Sequence, residues 1–315
     1  MTKQTICILG GTGFVGSHLA SRLSKDGHDI RVLTRRRERH RELLVLPTLD
    51  VIEANVHDEQ ALAEHFSGCN AVINLVGILN ESKKGDFERT HVDLPRKIVQ
   101  SCVAAGVPRL LHMSALHADA HKGSSEYLRT KGKGQDLVHA SQALNVTSFR
   151  PSVIFGPGDS FFNRFAGLLK IVPALPLACP NAKFAPVFVE NVAEAFAKAL
   201  DNPRTVGQHY ELCGPHVYTL KQLVDYTATV IHSHRPVIGL SDGLSKTMAR
   251  IMGMLPGKPM SYDNYLSLQT DSVCAGPFPD FIGIVPTPLE AVVPYYLGEK
   301  ATQDKFDQYR RTGSR

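Results

Sequence analysis

The chain has 315 residues, 43% of them hydrophobic, and 35 basic against 30 acidic side chains give a formal charge of +5. That is enough apolar material for a sizeable core and too little positive charge for a nucleic-acid-binding surface, so no nucleic-acid partner is expected. No apolar stretch approaches the ~20 residues of a membrane span; the most apolar segment, Phe165–Cys179, is broken by Lys170, Pro173 and Pro176.

Taken in chain order, Ile6–Leu9 reads as a short buried strand that feeds straight into closely spaced glycines. It starts so near Met1 that no signal or transit peptide is expected. Phe14, Val15, Leu19 and Leu23 recur at helical spacing, and Gly27 closes that helix. Gly11, Gly13 and Gly16 fit the spacing G-x-G-x-x-G, while Gly10, Gly13 and Gly16 fit G-x-x-G-x-x-G. Between a strand and a helix such glycines predict a dinucleotide site. They allow a sharp turn, a close approach of pyrophosphate to the backbone, and tight helix–strand packing. Gly10, Gly11, Thr12, Gly13, Phe14, Val15 and Gly16 are therefore the candidate phosphate-binding residues, with the helix start supplying free N–H groups and a positive dipole end.

The second strand, 29–34, ends where an acidic residue would hold the ribose 2′-hydroxyl of NAD, but the chain reads Thr34-Arg35-Arg36-Arg37. A guanidinium suits a 2′-phosphate, so NADP(H) is favoured over NAD(H), with Arg35 first and Arg36 second as its contacts. Further strands are read at 50–54, 70–76, 109–113 and 146–154, and helices at about 14–26, 59–67, 87–105 and 125–142. Asp58 is the expected N-cap of the second helix, and Pro95 marks a restart or bend in the next. Strands alternating with helices predict parallel βαβ units and a doubly wound α/β sheet of the Rossmann type.

After Gly156-Pro157-Gly158-Asp159 the rhythm changes. A helix at 191–201 capped by Asn191, a strand at 207–213, a helix at 219–232 and amphipathic segments near 242–254 and 261–268 follow. The expected organisation is a dinucleotide-binding domain, 1–159 with 184–203 returning to it, and a smaller substrate-side domain, 160–183 with 204–315. Six cysteines without a C-x-x-C pair predict reduced thiols in a cytoplasmic compartment, and neither a disulfide framework nor a zinc site. His117 and His121 are spaced for a shared ligand but fall in a loop, so no metal is assigned.

Tyr127 and Lys131, four apart at the start of the helix after the fifth strand, share a face. A tyrosine with an ordinary pKa near 10 is a poor acid or base at neutral pH, and a neighbouring cation lowers that pKa. Together, the Gly-Gly-Thr-Gly-Phe-Val-Gly turn, Tyr127-x-x-x-Lys131 and Arg150-Pro151-Ser152 resemble the extended and atypical short-chain dehydrogenase/reductase superfamily. The blocks Ser114-Ala115-Leu116, Ser124–Lys131, 150–166 and Leu289–Leu297 resemble one subgroup of it. That subgroup is typified by the alpha-subcomplex subunit 9 of respiratory complex I and its bacterial relatives.

The resemblance implies Tyr127 as acid/base, Lys131 as the residue that holds the nicotinamide ribose and tunes Tyr127, and Ser114 near the nicotinamide. It also implies Asn55, in place of the usual aspartate, at the adenine, with Val76, Gly77, Pro151 and Ser152 along the cofactor. Three functions follow as expectations. The first is an NADP(H)-dependent oxidoreductase acting on a carbonyl or hydroxyl of a quinone-related or lipid-like molecule. The second is a non-catalytic NADP(H)-binding accessory or assembly protein, peripherally associated with a membrane respiratory complex. The third, a nucleotide-sugar epimerase or dehydratase, has no matching pocket signature in the chain.

Overall fold

Runs of β-branched and aliphatic residues pair into one parallel sheet. Its strands are β1 (Thr5–Leu9), β2 (Asp29–Thr34), β3 (Leu49–Glu53), β4 (Ala71–Asn74), β5 (Arg109–Met113), β6 (Asn145–Pro151) and β11 (His209–Leu212). The computed structural model describes residues 3–40, 43–255 and 259–298. Among these the sheet is seven-stranded, in the order β11-β6-β5-β4-β1-β2-β3. Strand order reverses between β1 and β4, which makes the crevice beyond their carboxyl ends the ligand position of a doubly wound sheet.

The intervening helices are α1 (Phe14–Lys25), α2 (Glu59–Phe66), α3 (Asp86–Glu88), α4 (Leu94–Ala105) and α5 (Glu126–His139). Leu62, Phe66, Leu94, Ile98 and Val138 pack with Leu9, Leu33, Val72 and Leu110 in one buried cluster. Asp58 caps α2 as expected, its Oδ1 accepting the Gln60 and Ala61 N–H groups. The helix read at 87–105 is not uniform. Arg89–Asp93 forms one π-helical turn between α3 and α4, and Pro95 follows it in the first turn of α4. Pro95 has no N–H to donate to the preceding helical turn, which fits the break in the regular α-helical ladder at this point.

The chain divides into two compact units. The first is Met1–Pro151, Glu190–Leu212 and Pro279–Ile284; the second is Ser152–Val189, Cys213–Phe278 and Val285–Arg315. The boundary thus falls at Pro151 rather than 159, and residues 204–212 join the first unit because β11 pairs with β6 in parallel. The strand read as continuous over 146–154 ends at Pro151, and β7 (Ile154–Phe155) pairs instead with β10 (Val187–Phe188) in the second unit. The helix expected from 191 starts earlier, as α7 (Val189–Leu200), so Asn191 lies inside it and is not its cap.

The second unit contains α6 (Phe161–Ile171), β8 (Leu175–Leu177), β9 (Lys183–Phe184), β12 (Tyr218–Thr219), α8 (Leu220–Val230), β13 (Val237–Gly239), α9 (Asp242–Met252), α10 (Tyr262–Ser267) and α11 (Val293–Leu297). Phe155, Phe162, Leu169, Leu177, Leu223 and Val293 are among the side chains of its core. The expectation of reduced thiols fails at one pair. Cys213 and Cys274, with Cα atoms 5.9 Å apart, form a disulfide within this unit. Their separation of 61 residues hides the pairing from any local spacing rule.

Candidate functional site

The turn after β1 is built from glycines with different duties. Gly10 has φ +78°, and a Cβ there would lie 3.1 Å from the Leu75 carbonyl carbon just beyond β4. A Cβ on Gly16 would sit 2.2 Å from the Gly10 carbonyl oxygen, and one on Gly11 would sit 2.8 Å from the Val32 methyls. These three are demanded by the fold itself. Gly13 is different: it is exposed, it has an ordinary φ of −80°, and a Cβ would meet only the Gly10 carbonyl oxygen, at 3.2 Å. As N-cap of α1 it offers no side-chain acceptor, and no acidic residue occupies the first turn. The positive end of α1 is therefore left uncompensated beside Thr12, Phe14 and Val15, as a phosphate site requires.

Arg35 and Arg36 are exposed immediately beyond β2. The Arg36 N–H donates to Thr34 Oγ1 at 3.4 Å, and the Arg37 N–H reaches Glu53 Oε2 at the end of β3 at 3.5 Å. Asn55 follows β3, exposed, with its Oδ1 accepting the His57 N–H at 3.1 Å, so its amide hydrogens remain to be offered outward. Beyond β4, the Val76 N–H donates to Asn74 Oδ1 at 3.1 Å. Arg89 and Asp93 of the π-turn line a charged cavity of about 340 Å³ with His57 and Lys97; none of the acid/base candidates lines it.

Tyr127 and Lys131 lie on α5, whose N-cap Ser125 accepts the Leu128 N–H at 3.1 Å. Two glycines inside α5, costly at about 1 kcal/mol each against alanine, let its backbone approach its neighbours. A Cβ on Gly132 would lie 2.3 Å from the Ala120 nitrogen, and one on Gly134 would lie 1.9 Å from the His91 carbonyl oxygen. Lys131 is thereby buried at 5% exposure, and its ammonium donates to the Met113 carbonyl at 2.9 Å. Burial alone lowers its pKa from 10.5 to about 8. A Cβ on exposed Gly77 would come within 3.1 Å of Lys131 Nζ, so the loop after β4 passes directly beside that ammonium.

Sequence reasoning missed His91. From the π-turn, its Nε2 accepts the Ile78 N–H at 3.2 Å, so Nδ1 carries the proton and donates to Thr130 Oγ1 at 3.0 Å. The ring stacks on Phe87 and stands edge-on to half-buried Tyr127, with centroids 5.4 and 5.5 Å apart. Burial, then the Lys131 charge and His112, push its pKa down to about 2, so His91 is neutral. Its ties cross 13 and 39 residues, and no spacing in the chain announces them.

His112 on β5 was also missed. Asn74 Oδ1 is occupied by the Val76 N–H, so Asn74 Nδ2 donates to His112 Nδ1 at 3.1 Å and the His112 proton sits on Nε2. That Nε2 and the Ser114 Oγ, two residues on, are both buried without a hydrogen-bond partner among the described residues. Burial, then Lys131 and His139, hold His112 neutral, with a pKa near 3. Pro151 ends β6, and its carbonyl accepts the Leu116 N–H at 3.1 Å. Ser152 belongs to the second unit, where its hydroxyl donates to the Ser272 carbonyl at 2.7 Å. The first unit thus gathers Tyr127, Lys131, Gly77 and His91, with Ser114 following Met113. Arg35, Arg36 and Asn55 stand at the ends of β2 and β3.

Residues 6–213 match the model of the NAD dependent epimerase/dehydratase family. The chain belongs to that family. It is a member of the extended short-chain dehydrogenase/reductase superfamily, as the glycine turn and the tyrosine–lysine pair imply. Among its relatives is the NADH dehydrogenase [ubiquinone] 1 alpha subcomplex subunit 9 of Rattus norvegicus mitochondria. The two are 31% identical over 90% of this chain and 77% of that one. A ceramide reductase of Caulobacter vibrioides is 31% identical over 61% of this chain and 59% of its own length. A solved nucleoside-diphosphate-sugar epimerase from Staphylococcus aureus shares the fold, with a TM-score of 0.68 at 17% identity over 91% of this chain and 98% of that one.

Proposed function

We propose that this family member is an NADP(H)-dependent oxidoreductase acting on a carbonyl or hydroxyl group of a lipid-like substrate. The observation that carries the reading is the Lys131 site. Lys131 keeps a buried ammonium on a single carbonyl, Tyr127, four residues before it on the same helix, is steadied by two aromatic rings, and the buried Ser114 hydroxyl has no hydrogen-bond partner among the described residues; burying these groups is a cost that folding alone does not repay. The residues present fit a dinucleotide. Gly13 has an ordinary φ at a helix start without an acidic residue in its first turn, which supports a phosphate contact, and the exposed guanidinium groups of Arg35 and Arg36 directly after β2 support a 2′-phosphate contact.

NADP(H), when bound, would supply or accept the hydride. The chain's own residues do the rest. Tyr127 would exchange a proton with the substrate oxygen, and the Lys131 charge would favour the phenolate and hold the ribose. Ser114 would offer its hydroxyl beside the reacting group. The ceramide reductase relative supports the lipid-like substrate class.

Mass spectrometry of ligand released from protein as purified, followed by turnover with the identified compound class, tests the reading. Tyr127→Phe should cut turnover by roughly 10²–10⁴-fold and barely change NADPH affinity. Full activity in that variant would remove Tyr127 from the chemistry.

A second reading is favoured by the relatives named as subunits of mitochondrial NADH dehydrogenase. In it the chain binds NADP(H) without turning over, and the cofactor stiffens it for docking on a membrane complex. A ligand at 1,000 times its dissociation constant stabilises by roughly 4 kcal/mol. A large NADPH-dependent rise in Tm with no turnover across a carbonyl and alcohol panel would select this second reading.

A further inference from the structure

His91 takes no part in the chemistry assigned above, yet its contacts run straight into it. Both ring nitrogens are engaged, Nε2 by the Ile78 N–H of the loop after β4 and Nδ1 by the Thr130 hydroxyl of α5. With both in use, and its pKa down at about 2, the imidazole carries no proton to or from a substrate at neutral pH. Its place in the site is mechanical. It also sits in a π turn, a break in regular helical bonding that is frequent at functional sites.

The contacts form one chain. Gly77, next to Ile78, passes so close that a Cβ on it would lie 3.1 Å from Lys131 Nζ and 3.8 Å from His91 Nε2. On the other side, the fully buried Thr130 hydroxyl donates back into the first turn of α5, where the Glu126 and Tyr127 carbonyl oxygens lie 2.8 and 3.1 Å away. His91 therefore ties the loop beside Lys131 to the backbone that carries Tyr127. The phenol ring itself stands edge-on to Phe87 and His91, with centroids 6.0 and 5.5 Å apart. Its neighbours Ala115, Ala118 and Leu128 are apolar. Of the charges on this part of α5, Glu126 is engaged by Arg129 at 2.9 Å and Lys133 by Glu88 at 3.3 Å. Lys131 is then the charge that acts on the phenol, and its effect depends on how closely the two are held.

We propose that His91 is a positioning residue for Tyr127. Its imidazole clamps the loop after β4 to the first turn of α5, and so fixes the phenol relative to the Lys131 ammonium. Without the clamp, the Ile78 N–H and the Thr130 hydroxyl lose their shared partner and the two elements are free to separate.

This role rests on the reading of Tyr127 as acid/base, but a measurement that needs neither substrate nor cofactor tests it. Ultraviolet difference titration of each protein against its Tyr127→Phe counterpart isolates the ionisation of Tyr127 from that of the other tyrosines. His91→Phe keeps an aromatic ring and removes both hydrogen bonds, and Tyr127 should then ionise about one pH unit higher than in the wild-type protein. His91→Gln, whose amide carries a donor and an acceptor, should restore most of the wild-type titration. Thr130→Val cuts the same chain from α5 and should shift the titration as His91→Phe does, which keeps the test open where His91→Phe fails to fold. With NADPH and a long-chain aliphatic ketone as probes, His91→Phe should lower kcat by about tenfold to a hundredfold and leave KM near its wild-type value. A Tyr127 titration that stays put in folded His91→Phe and Thr130→Val would overturn the clamp. So would equal shifts in His91→Gln and His91→Phe, since any substitution would then act alike. Unaltered turnover in Tyr127→Phe would instead overturn the acid/base reading, with the clamp still judged by the titration.

Discussion

Lys131 holds a charge where a charge is expensive. Its folded pKa, about 8, lies below the ordinary 10.5, so between those values the unfolded chain binds a proton that the folded chain does not. Stability therefore rises with pH across that window, and the full penalty is present below it. Relative to Lys131→Met, the wild-type protein without cofactor should gain about 2–3 kcal/mol between pH 7 and pH 10. Urea denaturation of both proteins at the two pH values checks this, and parallel pH profiles would show that the ammonium is not desolvated. At the other end of the crevice Arg35 is exposed and has no such burden. Calorimetry should give NADPH the tighter binding, and Arg35→Asp should shift the ratio of NADPH to NADH affinity toward NADH by about tenfold or more. Equal affinities in the wild-type protein would remove the 2′-phosphate argument.

At the scale of elements, α5 is decided by what its glycines allow. Gly132 and Gly134 should weaken a 14-residue helix, and by propensity alone Ala would improve both positions. Yet a Cβ at Gly134 would reach 1.9 Å from the His91 carbonyl oxygen, so the π-turn and α5 could meet only at a bare backbone. Gly134→Ala should therefore destabilise by roughly 1–3 kcal/mol, while Lys133→Ala, on the exposed side, should be nearly neutral. A denaturant midpoint that rises in Gly134→Ala would refute the close contact. The same contact explains what the sequence hides. β1, α1, β2 and the Tyr127–Lys131 spacing are legible because their signals are local: an apolar run, a glycine turn, a four-residue interval. The π-turn and His91 are not, because one is a single extra-wide turn inside an ordinary helical period and the other finds Ile78 and Thr130 only once the chain has folded. The short strands β7 to β10, β12 and β13 span two or three residues each, too few to show any period.

At the scale of the whole chain, the two units hold together by different means. The first buries a continuous parallel sheet under helices, as its alternating pattern foretells. In the second, short two-stranded pairings surround an aromatic and aliphatic core, and the Cys213–Cys274 bridge closes a loop of 61 residues within it. Crosslinking a loop of that length removes denatured-state entropy worth about 4 kcal/mol in the chain-entropy model. The effect belongs to the second unit, since both cysteines and the whole loop between them lie there. Calorimetric scans with and without a reductant should therefore show a lower Tm in the reduced protein, and Cys213→Ser, Cys274→Ser should reproduce it and abolish the response to reductant. Where two transitions are resolved, only one of them should move, because a chain of two units need not unfold in a single step. Identical scans in oxidised and reduced protein would mean that the bridge adds nothing to stability. Free-thiol titration separates that outcome from a bridge that never forms: the bridged, unfolded protein should expose four reactive thiols, those of Cys7, Cys69, Cys102 and Cys179, and not six.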